Sequence, residues 1–136
     1  MSFKIELDHI GIATPQIEEG NFFQMLGLES LGQEEVASEK VKVGFYNTLN
    51  NARIELLEST APDGPISQFM DKRGPGIHHI CFRVQGIDAL VAQLKDQGVR
   101  LINEEPKMGA HNCRVVFIHP KSTGGVLVEL SEKVDG

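Results

Sequence analysis

The stretch Leu7-Asp8-His9-Ile10-Gly11-Ile12 returns later in the chain as Ile77-His78-His79-Ile80-Cys81-Phe82. In the same way Arg53-Ile54-Glu55-Leu56-Leu57-Glu58 returns as Leu127-Val128-Glu129-Leu130-Ser131-Glu132. Between these anchors Gly27-Leu28 answers to Gly98-Val99, and Phe45 answers to Phe117. The separation of matched residues grows slowly and in order along the chain, which is the trace of a tandem duplication with small loop insertions. Internal repeats are read before anything else because missing one miscalls the architecture.

Each copy opens on a strand. Ile5, Leu7, His9, Gly11 and Ala13 alternate onto one face, and the matching strand runs from Ile77 to Val84. Thr14 then offers an N-cap with Pro15 at the first helical position. Ile17, Phe22, Met25 and Leu26 give an apolar stripe before Gly27 stops the helix, with Gly20 as a weak point. The second copy is cleaner, with Ile87, Leu90, Val91 and Leu94 at helical spacing and Gly98 as the stop. Three short strands follow in each copy, and Asn50-Asn51 makes a tight turn between the third and fourth strands of the first. The expected fold is therefore α+β, two tandem βαβββ modules at about 4–60 and 77–133 within a single domain spanning 1–136. Ala61 to Gly76 joins them as a connector on the surface, with a short helix around Ile66, Phe69 and Met70.

Composition narrows the function classes. The chain has 136 residues, 40% of them hydrophobic and 24% charged, which suits one compact unit with a real core. A formal charge of −6 offers no basic footprint for phosphate backbones, so nucleic acid is not an expected partner. Met1 leads within a few residues into a strand, and no stretch approaches the roughly 18 apolar residues of a membrane span. Cys81 and Cys113 form no recognisable metal or redox pair, as is usual for thiols in a reducing compartment. These features predict a cytoplasmic protein without a disulfide.

The chemistry sits at the duplicated positions. His9 and His79 occupy the same place in the first strand of each copy, and Glu55 and Glu129 the same place in the last. Strands hold side chains firmly, and neutral imidazole with carboxylate is a donor set for a transition metal or zinc. If a pseudo-twofold axis relates the copies, the four residues form two symmetry-related pairs around one divalent ion. A single strand His or Glu is usually structural; four at duplicated positions are not so explained. By strand parity His78 points away from His79, and Glu58 and Glu132 point away from the ligands as surface residues. Cys81 shares the face of His79 as a small wall residue. His119 and His111 sit at a strand end and in a loop, with His111 the better functional candidate.

Taken together these residues resemble the vicinal oxygen chelate (glyoxalase/bleomycin resistance) superfamily, and within it the methylmalonyl-CoA epimerases. The resemblance covers nearly the whole chain. It is most specific at Glu104-Glu105-Pro106-Lys107-Met108-Gly109-Ala110-His111 and at His119-Pro120-Lys121-Ser122-Thr123-Gly124-Gly125-Val126-Leu127-Val128-Glu129-Leu130. It implies a cup-shaped mixed sheet around a metal site, ligands at His9, Glu55, His79 and Glu129, and a homodimer. It implies one divalent ion, whether cobalt, nickel, zinc or manganese. The implied activity is that of a metal-dependent isomerase, the epimerisation of methylmalonyl-CoA by 1,1-proton transfer through an enolate. Glu129 is the first choice as base and Glu55 the second catalytic carboxylate. Some members have Gln at the position of Glu55. A further active-site carboxylate described in one epimerase falls on Val43 here, with Glu35 and Glu39 as weak substitutes. Lys121, Ser122 and His111 are the candidate substrate contacts, with Lys107, Lys72 and Arg73 as further positive charge for a coenzyme A tail and Gly124-Gly125 as backbone donors. Two alternatives stand beside this reading. One is a glyoxalase I (lactoylglutathione lyase) acting on the methylglyoxal-glutathione hemithioacetal; the other is a non-catalytic small-molecule-binding module of the same fold.

Overall fold

The structure is a computed structural model describing residues 3–134, with the side chains at 19, 20 and 110 outside the description. Its strands are β1 (Ile5–Ala13), β2 (Glu29–Val36), β3 (Val41–Asn47), β4 (Arg53–Ser59), β5 (Gly76–Val84), β6 (Lys107–Met108), β7 (Cys113–Ile118) and β8 (Leu127–Lys133). Its α-helices are α1 (Asn21–Leu26), α2 (Pro65–Arg73) and α3 (Ile87–Asp96). The chain divides into two compact units, His9–His78 and the remainder.

In the first unit the strand order is β2-β3-β4-β1, and in the second it is β5-β8-β7-β6. Both follow one plan. The first and last strands of a module run parallel, β1 beside β4 and β5 beside β8, and the other pairs are antiparallel hairpin neighbours. A parallel pair needs a long crossover, and the helix with its two following strands supplies it in each module. The β-α-β-β-β pattern read from the repeats is thus present twice. Asn51 takes the left-handed conformation, φ 63°, in the expected turn between β3 and β4, and Thr48 N–H closes that turn on the Ala52 carbonyl at 3.1 Å.

Matching helix stops carry the duplication into the backbone. Gly27 and Gly98 sit at φ 107° and 82°, where a Cβ is disfavoured. After each, the next N–H reaches back six residues' span, Leu28 to the Phe23 carbonyl and Val99 to the Leu94 carbonyl, both at 3.0 Å. This is the Schellman closure of orphan helix carbonyls.

The first helix departs from expectation. Thr14 N–H, just past the end of β1, still bonds the Leu57 carbonyl, and its hydroxyl donates to the Gln16 carbonyl, so it is no N-cap. A 3-10 turn at Ile17–Gly20 precedes the six-residue α1. Changing from three residues per turn to 3.6 at Gly20 rotates the apolar face. Ile17 and Phe23 therefore pack with Tyr46 and Leu56, whereas Phe22, Met25 and Leu26 stay exposed. Gly44 is where Ile17 presses on β3, since an added Cβ would lie 2.9 Å from Ile17 Cγ2.

The connector also differs. Residues 65–73 form α2, and Ile66 is 4% exposed, buried with Ala13, Val41, Val43 and Leu57, with Phe69 and Met70 against them. A segment expected to lie on the surface is thus part of the first unit's core. In the second unit α3 buries Ile87, Leu90 and Val91 against Val84, Val116, Ile118 and Leu130, with Leu94 partly buried, as its spacing predicts. The first residues of the chain join this unit. Phe3 packs on the same cluster, Gln85 N–H bonds the Lys4 carbonyl, and Arg83 pairs with Asp8 at 3.0 Å.

Candidate functional site

In the first unit the parallel register sets His9 beside Arg53 and Gly11 beside Glu55, and the antiparallel register sets Phe45 beside Glu55. Paired residues share a face and strand side chains alternate, so His9, Arg53, Glu55 and Phe45 all lie on one side. His9 Nδ1 and Glu55 Oε2 come within 3.4 Å, each side chain only 11% exposed.

The second unit repeats the arrangement. His79 lies beside Leu127, Cys81 beside Glu129, and Phe117 on the other side of Glu129. His79 Nε2 and Glu129 Oε1 are 3.7 Å apart and similarly sheltered. Each module therefore presents one sheltered imidazole nitrogen next to one carboxylate oxygen from neighbouring parallel strands. Two such nitrogens and two such oxygens are the donor chemistry of a divalent first-row ion or zinc. The residues present fit that group.

Sequence reasoning missed Arg53. Its Nε and Nη2 donate to Glu55 Oε2 at 3.2 and 3.0 Å, so one carboxylate oxygen accepts from two guanidinium nitrogens and lies near His9. The signal was available, because a residue two positions before Glu55 in a strand shares its face. At the equivalent place the second module has Leu127.

The neighbours of these four residues have other tasks. His78 turns to the opposite side of β5 and sets its ring edge-on to Phe69, with centroids 5.0 Å apart; burial pushes its imidazole pKa down. Cys81 is fully buried and Cys113 partly so, and neither is in a disulfide. Glu58 and Glu132 do point away from the ligand face but are not idle surface residues. Glu58 Oε1 accepts from Ile17 N–H at 2.8 Å, and Glu132 accepts from Gly86 and Ile87 N–H at 2.7 and 3.1 Å. Each carboxylate thus satisfies donors at the start of its own module's helical segment.

Val43 is buried within the cluster around Ile66. Glu35 is paired with Lys42 and so lies on the face opposite Glu55; Glu34, paired with Val43, is the β2 carboxylate on the Glu55 side. Glu39 ends a 3-10 turn at Ala37–Glu39.

The expected substrate contacts lie on two tight turns of the second unit. Lys121 and Ser122 belong to a 3-10 turn at Pro120–Ser122 whose Lys121 N–H is accepted by His119 Nδ1 at 3.1 Å. Ser122 Oγ accepts from Arg100 N–H, and Gly125 N–H bonds the Pro120 carbonyl, both at 2.9 Å. Those groups therefore already hold the turn together, while the Lys121 side chain is exposed. His111 is exposed and in the left-handed region, φ 57°. Lys107, on the Glu129 side of β6, stands 5.8 Å over the Phe117 ring.

The family model of the Glyoxalase/Bleomycin resistance protein/Dioxygenase superfamily matches residues 8–117, a span that takes in His9, Glu55 and His79. The chain belongs to this superfamily. Among its relatives, the ethylmalonyl-CoA/methylmalonyl-CoA epimerase of Cereibacter sphaeroides is 40% identical over 130 residues, covering 93% of this chain and 96% of the relative. The crystal structure of methylmalonyl-CoA epimerase from Mycobacterium tuberculosis superposes with a TM-score of 0.84 at 36% identity, covering 95% of this chain and 88% of that one. A methylmalonyl-CoA epimerase solved in complex with methylmalonyl-CoA and ammonium superposes with a TM-score of 0.81 at 32% identity, covering 94% of each chain. The vicinal oxygen chelate fold implied by the resemblance is thus that of the superfamily's epimerases.

Proposed function

We propose that this protein epimerises methylmalonyl-CoA at its C2 carbon, with His9, Glu55, His79 and Glu129 holding one divalent metal ion. The observation that carries the site is the repeated imidazole–carboxylate pair, at 3.4 Å in one unit and 3.7 Å in the other. The substrate assignment draws on the named activity of relatives that match over nearly their whole length. When bound, the ion supplies Lewis acidity, which stabilises negative charge on the thioester oxygen as the C2 proton leaves.

The chain's own groups divide the remaining work. Epimerisation takes a proton from one face of C2 and returns one to the other, so a carboxylate on each side is the simplest apparatus. Glu129 is the base. Glu55 is its counterpart by duplication and the group to serve the opposite face, although its Oε2 is engaged by Arg53. Phe45 and Phe117, each beside a ligand carboxylate in register, flank those carboxylates with apolar surface. Lys121 and His111 are the exposed groups to meet the coenzyme A portion, and Ser122 fixes the turn that carries Lys121. The protein works in the cytoplasm as a homodimer; no helix among the described residues is long and apolar enough to cross a membrane.

The test supplies the cobalt-loaded protein with (2R)- or (2S)-methylmalonyl-CoA in deuterated water. Interconversion of the epimers with deuterium entering at C2 is the expected result. Absence of exchange, together with turnover of the glutathione hemithioacetal of methylglyoxal, would overturn the assignment in favour of a glyoxalase.

A further inference from the structure

The two modules match at the histidine, the carboxylate and the phenylalanine, and they differ in charge two residues before the carboxylate. Arg53 stands where the second module has Leu127. A guanidinium on a face of metal-ligating character is not required by the strand, since Leu127 fills the same place in β8. Arg53 is also not an ordinary surface cation. Its side chain is 27% exposed, and it places Nε and Nη2 on the single oxygen Glu55 Oε2, the oxygen that also faces His9 Nδ1.

Resting on the metal-site reading above, we propose that Arg53 is a charge-compensating residue for Glu55 and sets the net charge of the metal centre. Two carboxylates cancel the charge of a divalent ion in full. A centre so neutralised attracts an anionic substrate weakly and stabilises developing negative charge weakly, because both effects follow the net field at the site. Arg53 returns one positive charge, delivered through the carboxylate it grips. The cost is affinity, because a fixed cation within a few ångströms of a cation site opposes loading of that site. Arg53 thus exchanges tightness of metal binding for positive charge available to the substrate.

The test uses the metal-free full chain and reads cobalt affinity by calorimetry, alongside epimerase kinetics of the loaded protein. Arg53→Gln removes the charge and should bind cobalt about three- to tenfold more tightly, while kcat falls. Arg53→Lys keeps the charge without the two-nitrogen grip and should restore wild-type affinity. Weaker or unchanged cobalt binding in Arg53→Gln would overturn the proposal and leave Arg53 as a strut for the carboxylate. Should Arg53→Gln not fold, Arg53→Met read against Arg53→Lys gives the same comparison. Failure of the unsubstituted protein to bind cobalt overturns the metal-site reading instead, so the two failures are distinguishable.

Discussion

Neighbouring histidines at 78 and 79 have opposite fates, because strand side chains alternate between faces. His79 meets Glu129, and His78 meets the ring of Phe69. His79→Ala is therefore expected to abolish metal uptake, whereas His78→Ala should retain it and lose only packing energy. Metal content after dialysis, measured by elemental analysis, separates the two; equal loss in both variants would refute the register. Glu129→Gln removes the proposed base with little change of shape. It should suppress deuterium wash-in at C2 by at least about a hundredfold, within the usual range for general-base removal, while the circular dichroism spectrum stays that of the parent.

At the scale of elements, the parallel strand pair positions the proposed ligands, and a carboxylate three residues further along the last strand ties that strand to the start of the helical segment. Glu132 accepts two N–H groups at the beginning of α3, so Glu132→Ala leaves helix donors without a partner. The expected loss is about 1–2 kcal/mol, the range for losing a helix cap, read from urea denaturation of the metal-free protein. The α2 segment makes a second prediction. Ile66 is buried with Val43 and Leu57, and Ile66→Ala should cost about 2–4 kcal/mol through lost burial and the cavity left behind. A cost below about 1 kcal/mol in the same assay would mean that α2 is the loosely attached connector its proline-rich sequence suggests.

For the molecule as a whole, the proposed metal site would link metal binding to folding. An ion that binds the native chain and not the unfolded one stabilises it by about 2.7 kcal/mol at a free concentration roughly a hundred times Kd. Cobalt should therefore shift the urea midpoint of the metal-stripped protein upward, and chelator should reverse the shift and the activity together. His9→Ala should lose the shift. A midpoint indifferent to cobalt would show that no native-state site exists.

The sequence by itself determined the repeats, and with them the β-α-β-β-β plan and the duplicated positions of His9, Glu55, His79 and Glu129. That information is local: alternation along a strand and helical spacing are properties of consecutive residues. Tertiary structure decided the rest. Whether Phe22 or Phe23 faces inward depended on the 3-10 turn before α1; whether Ile66 is buried depended on a core surface waiting for it. Glu58 and Glu132 read as solvated charges until the helix starts they serve came within reach. Arg53 shows the same limit most sharply. Its place two residues from Glu55 puts it on the ligand face, but only the folded side chains bring its guanidinium onto the carboxylate oxygen that also faces His9. Hydrogen bonds and close packing are made between residues distant in sequence or free in rotamer, and a linear pattern leaves those choices open.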